Sequence, residues 1–342
     1  MANCARLNPE KNCNMKGPLR KLTMKRKKTM VIDLTYICNF TCHYCQWGDP
    51  TNEKRRNIQL DKLLVKSKSL KKMGVERIVF SGGEPLLHPN FREIVGYYGK
   101  VVNEVVMITN GLLLDDKHLD DYCEQGLTGV TFSLDSTDRQ ICRDTRDISK
   151  KTLAKILRNM HLAVNAKSDG KLQEVSMNVV ISGANCNLED VQRTIDFAFS
   201  EGLDFVKFQP IFDDGYVTKN SPQLKLSAMH ANEIRKIGNW ISESTILNTN
   251  TADFWFTLAS LTEGRTLVGG TCGIDDYQSI SMNGEMKFCY WVDDPVYGQV
   301  DEVLTANDVD NAVSQFMIQK KKCDTGNHCF CLQDMEHTWD II

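Results

Sequence analysis

The sequence predicts an α/β protein, a partial (β/α)6 TIM-like barrel followed by a small C-terminal cysteine-rich α+β domain. Between residues 31 and 210, runs rich in β-branched and aromatic residues alternate with amphipathic helical patterns. Strands separated by helices form right-handed βαβ units, and six such units make an incomplete parallel barrel. Beyond residue 266 the repeat gives way to cysteines, glycines and short strands.

Strand and helix patterns follow one another in a regular order along the barrel. The predicted strands are 31–37, 76–80, 104–108, 129–132, 174–181 and 205–208. The predicted helices are 60–73, 90–98, 116–125, 150–164, 187–202 and, after the last strand, 228–242. Gly74 closes the first helix as its C-cap, and Asn187 caps the fifth at its start.

Changes in composition and in the pattern of strands and helices divide the chain into four segments. We expect a basic arm at 1–30, the partial barrel at 31–225, a helical linker at 226–265 and the cysteine-rich domain at 266–342. The basic charge of the arm is typical of a solvated segment, with contact to an anionic substrate or partner as the other interpretation.

Composition excludes several classes of function. The net charge is −3, so the chain as a whole has no electrostatic attraction for nucleic acid. No apolar stretch approaches the ~20 residues that span a bilayer. Residues 1–30 carry many charges and no apolar core of a secretion signal, so we expect a cytoplasmic protein. Abundant cysteine in such a protein favours metal binding over disulfides.

Three closely spaced cysteines, Cys38, Cys42 and Cys45, follow the first strand. They lie in a loop past its carboxyl end, where ligand sites gather in parallel α/β folds. Thiolates at this density cross-link, bind zinc or hold an iron–sulfur cluster. Zinc requires four ligands, and His43 is badly placed to join the same tetrahedron as its neighbour Cys42. We therefore favour a four-iron cubane with one iron left open.

Polar or small residues stand at the ends of the following strands. Gly82, Gly83 and Glu84 end the second strand, and Ser133 with Asp135 ends the fourth. Singly, such residues are typical of turns. Together, at one mouth of a parallel barrel, they indicate a ligand site. Glycines let a backbone approach a ligand, a glutamate accepts from an ammonium group, and the serine or aspartate binds ribose hydroxyls.

The cysteine spacing CxxxCxxC, with Tyr44 before the third cysteine, and the GGE run at residues 82–84 resemble the radical SAM superfamily over residues 31–210. The resemblance implies that Cys38, Cys42 and Cys45 hold a [4Fe–4S] cluster whose fourth iron binds S-adenosylmethionine (SAM). Reductive cleavage of SAM then yields a 5′-deoxyadenosyl radical. The implied SAM-binding residues are Tyr44, Gly82, Gly83, Glu84, Thr109, Asn110, Ser133, Asp135, Arg146 and Asn178.

A second cysteine group closes the chain. Cys272, Gly284 and Cys289 have a spacing that resembles the opening of SPASM and Twitch domains, and Asn283-Gly284 predicts a hairpin turn. Three more cysteines follow, at Cys323, Cys329 and Cys331. They are too few for the full SPASM pattern, so we expect one auxiliary [4Fe–4S] cluster held by four of these five thiols. A closed zinc site is the alternative.

These features predict an enzyme that abstracts hydrogen from a C–H bond of a small polar substrate. An aminosugar or cyclitol of natural-product biosynthesis is favoured, with dehydrogenation, epimerisation or dehydration as the outcome. A peptide-modifying (RiPP maturation) radical SAM enzyme is one alternative, and a non-enzymatic iron–sulfur electron carrier is another. Nucleotide cyclisation is less favoured, because no second basic, glycine-rich phosphate cradle is present. Flavodoxin or ferredoxin is the expected reductant, and Cys142 is a candidate hydrogen donor.

Overall fold

A computed structural model describes residues 27–49, 51–53, 56–212, 215–244, 246, 248–265, 267–268, 277–281, 283–287, 296–299, 302, 311 and 340–341. Six parallel strands pair in chain order: β1 (Thr29–Thr35), β2 (Arg77–Gly82), β3 (Glu104–Thr109), β4 (Gly129–Ser133), β5 (Glu174–Ile181) and β6 (Phe205–Pro210). The sheet is open, since β6 does not return to β1. The prediction of a partial barrel is confirmed.

Helices follow the strands in the described part of the chain. They are α1 (Leu60–Leu70), α2 (Phe91–Tyr98), α3 (Asp116–Gln125), α4 (Arg139–Arg146), α5 (Lys150–Ser168), α6 (Leu188–Ser200), α7 (Tyr216–Asn220), α8 (Ala231–Glu243) and α9 (Ala252–Thr262). The sequence did not predict α4, α7 or α9. A capping signal for α4 was present, because the Asp138 carboxylate accepts from the backbone N–H groups of Gln140 and Ile141.

The two faces of the sheet differ in what they bury. Met30, Ile32 and Leu34 of β1 belong to the large core between the sheet and the helices. Val31, with Val79 and Val106, belongs to a small separate cluster on the opposite face. Because successive side chains of a strand alternate between faces, this second face is the inner face of the barrel.

The free edge of β6 is covered by a later segment of the chain. The backbone N–H of Val206 donates to the carbonyl of Asn248 at 3.1 Å. The Asn250 side chain accepts from the Phe208 N–H at 2.6 Å and donates to the Phe208 carbonyl at 3.0 Å. The amide of Asn250 thus takes the place of a neighbouring strand and protects an otherwise open edge.

Helices α8 and α9 pack into the same core as the barrel. Ile234 and Ile237 of α8 and Phe254, Trp255 and Leu258 of α9 are buried members of it. The segment expected to be a linker is therefore a packed part of this unit, because its apolar residues complete the helical layer.

A C-terminal hairpin extends the barrel sheet on the other side of β1. After β7 (Leu267–Val268), strand β8 (Tyr277–Ile280) pairs in parallel with β1, and β9 (Glu285–Lys287) and β10 (Val296–Gln299) follow antiparallel. Gly284, with a φ of 83°, lies in the turn between β8 and β9, where the sequence predicts a hairpin. Strand β11 (Asp340–Ile341) pairs with β7. No described helix is long and apolar enough to cross a membrane.

Candidate metal centre

The cysteine loop leaves the carboxyl end of β1 and folds back on itself in short turns. The Cys45 N–H donates to the Cys42 carbonyl at 3.0 Å, and the Gly48 N–H donates to the Cys45 carbonyl at 3.2 Å. A side chain on Gly48 would run into the backbone of Phe40, 2.6 Å from its carbonyl oxygen. The backbone of the loop is thus compact.

The electrostatics of the loop fit a positively charged occupant. Burial raises the pKa of the Cys38 thiol to about 11, opposed by the Phe40 N–H, which donates to this sulfur at 3.5 Å. Burial also raises the pKa of Cys42, and the thiolates of Cys38 and Cys45 raise it further. Thiols such as Cys38 and Cys42, whose pKa values are raised, are stabilised as thiolates by a bound metal.

The arrangement of these thiols bears on the kind of metal. Among the residues that the structure describes, no three His, Cys, Asp or Glu side chains converge as they would around a single ion. A cubane offers three iron corners to three different thiolates, so its ligands stand farther apart than those of zinc. The donor set of Cys38, Cys42 and Cys45 fits the cubane.

Gly82 and Gly83 are required by the approach of two backbones. The Gly83 N–H donates to the Thr35 carbonyl at 2.6 Å, and the Glu84 N–H donates to the Ile37 carbonyl at 2.8 Å. A Cβ on either glycine would overlap one of those carbonyl oxygens, and Gly82 has a φ of 118°. These contacts attach the end of β2 to the start of the cysteine loop. The approach of these glycines to a ligand stays a prediction.

Glu84 is a fully buried carboxylate at this junction. Its Oε1 accepts from the Thr109 hydroxyl at 2.8 Å and from the Leu86 N–H at 3.2 Å, and its Oε2 accepts from the Asn110 N–H at 2.8 Å. Burial nevertheless raises its pKa to about 7. Three of about four acceptor positions are filled, which leaves one for a ligand. Thr109 and Asn110 act here by orienting Glu84.

Ser133 and Asn178 are direct neighbours on the inner faces of β4 and β5. Both are half-buried, and neither side chain hydrogen-bonds to another described residue. Lys207 and Gln209 lie on the same face of β6, where they alternate with the core residues Val206 and Phe208. This face of the mouth is polar, and the side chains of Ser133 and Asn178 can hydrogen-bond to a ligand.

Asp135 is saturated by protein donors. Arg146 donates to both of its oxygens, from Nε at 2.9 Å and from Nη2 at 2.8 Å. The Tyr44 hydroxyl donates to Oδ2 at 2.8 Å, and the Val180 N–H donates to Oδ1 at 3.0 Å. All four acceptor positions are therefore used. No acceptor position is left for the ribose contact that we expected of Asp135, which corrects that expectation. Two donors of Arg146 and the hydroxyl of Tyr44 are also occupied by this carboxylate.

Cys142 lies away from the mouth. Its side chain has no exposed surface and belongs to the core between sheet and helices, and its thiol donates to the Ser136 carbonyl at 2.9 Å. Burial raises its pKa to about 12. A hydrogen donor must reach a substrate radical, so we do not retain this role for Cys142. The cysteines predicted to hold the auxiliary cluster lie outside the described residues: Cys272, Cys289, Cys323, Cys329 and Cys331.

Sequence reasoning missed two residues between the cysteines. Asn39 accepts from the Asn110 side chain at 2.8 Å, which links the loop to the end of β3. The His43 N–H donates to the Thr145 carbonyl at 2.8 Å, which links the loop to α4. No signal in the sequence marks these contacts, because both partners are distant in the chain.

The fold and site define a parallel α/β barrel domain with a loop of three cysteines at its mouth. Residues 32–198 match the sequence profile of the Radical SAM superfamily. This match confirms the resemblance drawn from CxxxCxxC and GGE. The superfamily implies a [4Fe–4S] cluster and SAM as cofactors and indicates an enzyme.

Curated relatives carry one recurring name. A GTP 3′,8-cyclase of Chlorobaculum tepidum is 42% identical over 113 residues, which are 32% of this chain and 33% of the relative. The GTP 3′,8-cyclase of Synechocystis is 29% identical over 206 residues, 60% of each chain. That of Staphylococcus epidermidis is 31% identical over 199 residues, 54% of each. The chain thus spans between a third and three fifths of these relatives.

Solved structures agree on the fold. The structure titled native anSMEcpe with bound AdoMet has a TM-score of 0.63 at 18% identity, covering 88% of this chain and 87% of that one. Streptococcus suis SuiB bound to S-adenosylmethionine has a TM-score of 0.60 at 16% identity, covering 82% and 64%. At these identities the likeness concerns the fold alone.

Proposed function

We propose that this protein is a radical SAM enzyme that cleaves SAM reductively and abstracts hydrogen from a small polar substrate. The observation that carries the proposal is the meeting of three mutually interacting thiols with a buried carboxylate. Glu84 lies close enough to Cys38 to raise the pKa of that thiol, after the larger effect of burial. A metal centre and an acceptor for an ammonium group therefore stand side by side.

The residues divide the work as follows. Cys38, Cys42 and Cys45 would hold the cluster, which when bound supplies the electron that splits SAM. Glu84, oriented by its three protein donors, accepts from the amino group of SAM. Ser133 and Asn178 offer hydrogen bonds to its ribose. The buried walls around the loop, with Phe40 only 6% exposed, exclude water from the reacting carbon.

A polar substrate is favoured by the inner face of the barrel. Ser133 and Asn178 leave hydrogen-bonding groups at the mouth, and Lys207 and Gln209 continue the polar face on β6. An aminosugar or cyclitol suits such a surface, and modification of a peptide remains the alternative. The names of the curated relatives favour a second candidate, cyclisation of GTP, which our sequence reasoning ranked lower.

Formation of 5′-deoxyadenosine tests the proposal. Anaerobically reconstituted protein, reduced with dithionite and mixed with SAM, should release 5′-deoxyadenosine, measured by liquid chromatography and mass spectrometry. Cys42→Ala should abolish release. Cys123→Ala, which removes a cysteine on α3 outside the loop, should not. Equal release by wild type and Cys42→Ala would refute the site, and no release by wild type would support a mere electron carrier.

The same assay separates the substrate classes. We would add GTP, glucosamine or myo-inositol and measure the increase in 5′-deoxyadenosine. A substrate of the enzyme should accelerate its release several-fold and should itself be consumed. Acceleration by GTP alone would replace the aminosugar proposal with nucleotide cyclisation, whereas acceleration by glucosamine or inositol would support it.

A further inference from the structure

Two aromatic rings close the neck of the cysteine loop. Tyr36 stands two residues before Cys38, and Trp47 stands two residues after Cys45. Their rings stack, with the ring centres 3.7 Å apart and the planes inclined by 14°. Nearly parallel rings at this distance are in van der Waals contact. The stack therefore joins the two ends of the loop that carries the three thiols.

The Tyr36 side of the stack is fixed by the backbone. The Tyr36 N–H donates to the Arg56 carbonyl at 2.9 Å, and the Thr35 hydroxyl donates to the same carbonyl at 3.2 Å. The Thr35 hydroxyl oxygen also accepts from the Ile37 N–H at 3.0 Å. Tyr36 packs against the main core as well. The fold itself thus holds Tyr36 at the end of β1.

Trp47 belongs to the other end of the loop. It lies in one turn of 3-10 helix (Gln46–Gly48) that begins directly after Cys45. Bonds from residues between the cysteines attach the middle of the loop to β3 and α4. The stack on Tyr36 adds what those bonds do not supply, because it sets the distance between the residues just outside the first and the third cysteine.

A closed neck favours retention of a cluster. Three thiolates of one short loop reach three corners of a cubane only when the first and the third cysteine keep a suitable separation. A loop with free ends samples many separations and must be ordered when the cluster binds, which costs conformational entropy. A stacked pair at the ends removes part of that cost before binding, because binding and ordering of the loop are coupled.

We propose that Tyr36 and Trp47 are positioning residues of the metal centre, a clasp that holds the two ends of the cysteine loop together and thereby retains the bound cluster. This role rests on the proposed function, because it requires a cluster at the three cysteines of the loop. The two rings act through the cysteines, whose separation they set. Since a stack needs both rings, the loss of either one opens the clasp.

Release of the cluster tests the clasp. The reconstituted protein is mixed anaerobically with EDTA, samples are reduced with dithionite at intervals, and EPR gives the amplitude of the signal that responds to SAM. Trp47→Ala and Tyr36→Ala should each accelerate the decay of this signal roughly two- to tenfold, in line with the strength of one aromatic pair. Trp47→Phe and Tyr36→Phe each keep a flat ring and should decay at nearly the wild-type rate.

The double variant separates a clasp from two independent contacts. Y36A/W47A should release its cluster no faster than the faster of the two single variants, because either change alone removes the stack. Multiplied effects in the double variant would overturn the inference, and so would a wild-type rate in both single variants. If Trp47→Ala fails to fold, Trp47→Leu, which keeps apolar volume without a flat ring, takes its place.

Tyr122→Ala is the matched control for a general loss of structure. Tyr122 lies on α3, is half-buried like Trp47, and packs edge-on against Phe91 with the ring centres 5.0 Å apart. Its removal should destabilise the fold, which urea denaturation measures, and should leave the release of the cluster at the wild-type rate. Release as fast as that of Trp47→Ala would attribute the effect to unfolding and overturn the inference.

The outcomes keep the two proposals apart. If the reduced wild-type protein shows no EPR signal that responds to SAM, the proposed function fails, and the clasp fails with it. If the wild type shows such a signal and the two alanine variants lose it at the wild-type rate, only the clasp fails.

Discussion

At the scale of single residues, what a group can do depends on how many of its hydrogen-bonding positions the protein leaves open. Glu84 and Asp135 are both buried carboxylates near the cysteine loop. Asp135 has four protein donors and pairs with Arg146, whereas Glu84 has three donors and no cation among its contacts. Asp135 is therefore a structural anchor, and Glu84 keeps an acceptor position for the cationic ligand that we propose.

The raised pKa of Glu84 predicts that the binding of SAM depends on pH. Burial raises that pKa to about 7, so the carboxyl is neutral below this value and ionised above it. Only the ionised form attracts an ammonium group, and the affinity for SAM should therefore increase as the pH rises from 6 to 8. Isothermal titration calorimetry of the anaerobic protein measures this affinity at each pH. Glu84→Gln should remove this dependence, and an unchanged profile in that variant would contradict the assignment.

The ribose contacts can be tested with a matched control on the same strand. Ser133→Ala and Asn178→Ala should each weaken SAM binding by about 1 kcal/mol, or roughly fivefold, the usual value of one hydrogen bond. Ser176→Ala, two residues earlier on β5, should leave it unchanged, because that buried hydroxyl bonds Thr131 at 2.9 Å. Equal weakening in all three variants would indicate a general loss of structure.

For single residues, the sequence predicts the features that the spacing of residues along the chain can encode. The three cysteines and the GGE run are local patterns, so both were found. The pairing of Asp135 with Arg146 and the contact of His43 with α4 depend on how strand, helix and loop pack, which no local pattern records. Asp135 was therefore assigned a ligand that its geometry does not accommodate.

At the scale of elements, an ion-pair network joins strands at the amino end of the barrel. Arg77 of β2 bonds Glu104 of β3 at 3.0 Å and Glu174 of β5 at 2.9 Å. The Arg77 side chain reaches past β4 because Gly129, on β4, has no side chain. A Cβ on Gly129 would stand 3.3 Å from the Cβ of Glu174. The network lies at the end of the barrel opposite the cysteines, where stability rather than chemistry is expected.

Loss of Arg77 should destabilise the fold without changing the metal centre. Arg77→Met leaves two half-buried carboxylates without their shared partner and should lower the free energy of unfolding by about 1.5–3 kcal/mol. Arg92→Met breaks the exposed pair with Asp121 and should lower the free energy of unfolding much less, because solvent screens that pair. Urea denaturation measures both. Equal effects of the two variants would refute the structural role of the network.

Element prediction succeeded where periodicity was strong. The strands of the barrel and helices such as α3 and α6 lie within a few residues of their predicted bounds. Helix α4 was missed because it has eight residues and little apolar repeat. Helix α9 was missed because its sequence is apolar on almost every side, which does not separate a buried helix from a strand.

At the scale of the whole molecule, the barrel and the C-terminal hairpin share one sheet. Strand β8 pairs with β1, the strand that leads into the cysteine loop, and Ile280 and Met286 are fully buried in the main core. Sequence reasoning predicted the hairpin from Asn283-Gly284 but placed it in a separate domain. Periodicity identifies strands, and it does not reveal which distant strand completes the pairing.

The C-terminal cysteines predict the metal content of the whole chain. Two cubanes correspond to about eight iron atoms per chain after anaerobic reconstitution, and Cys42→Ala should retain about four. Iron and zinc assays on both proteins measure this. About four iron atoms per wild-type chain would contradict the auxiliary cluster. One zinc atom in addition to those four would support the closed zinc site.

The central claim is that the centre at Cys38, Cys42 and Cys45 binds SAM at an open iron. Low-temperature EPR of the dithionite-reduced, reconstituted protein, recorded with and without SAM, tests it most directly. We expect SAM to change the signal of the wild-type protein, and we expect no such change in Cys42→Ala. Identical spectra of the wild type with and without SAM would contradict the claim.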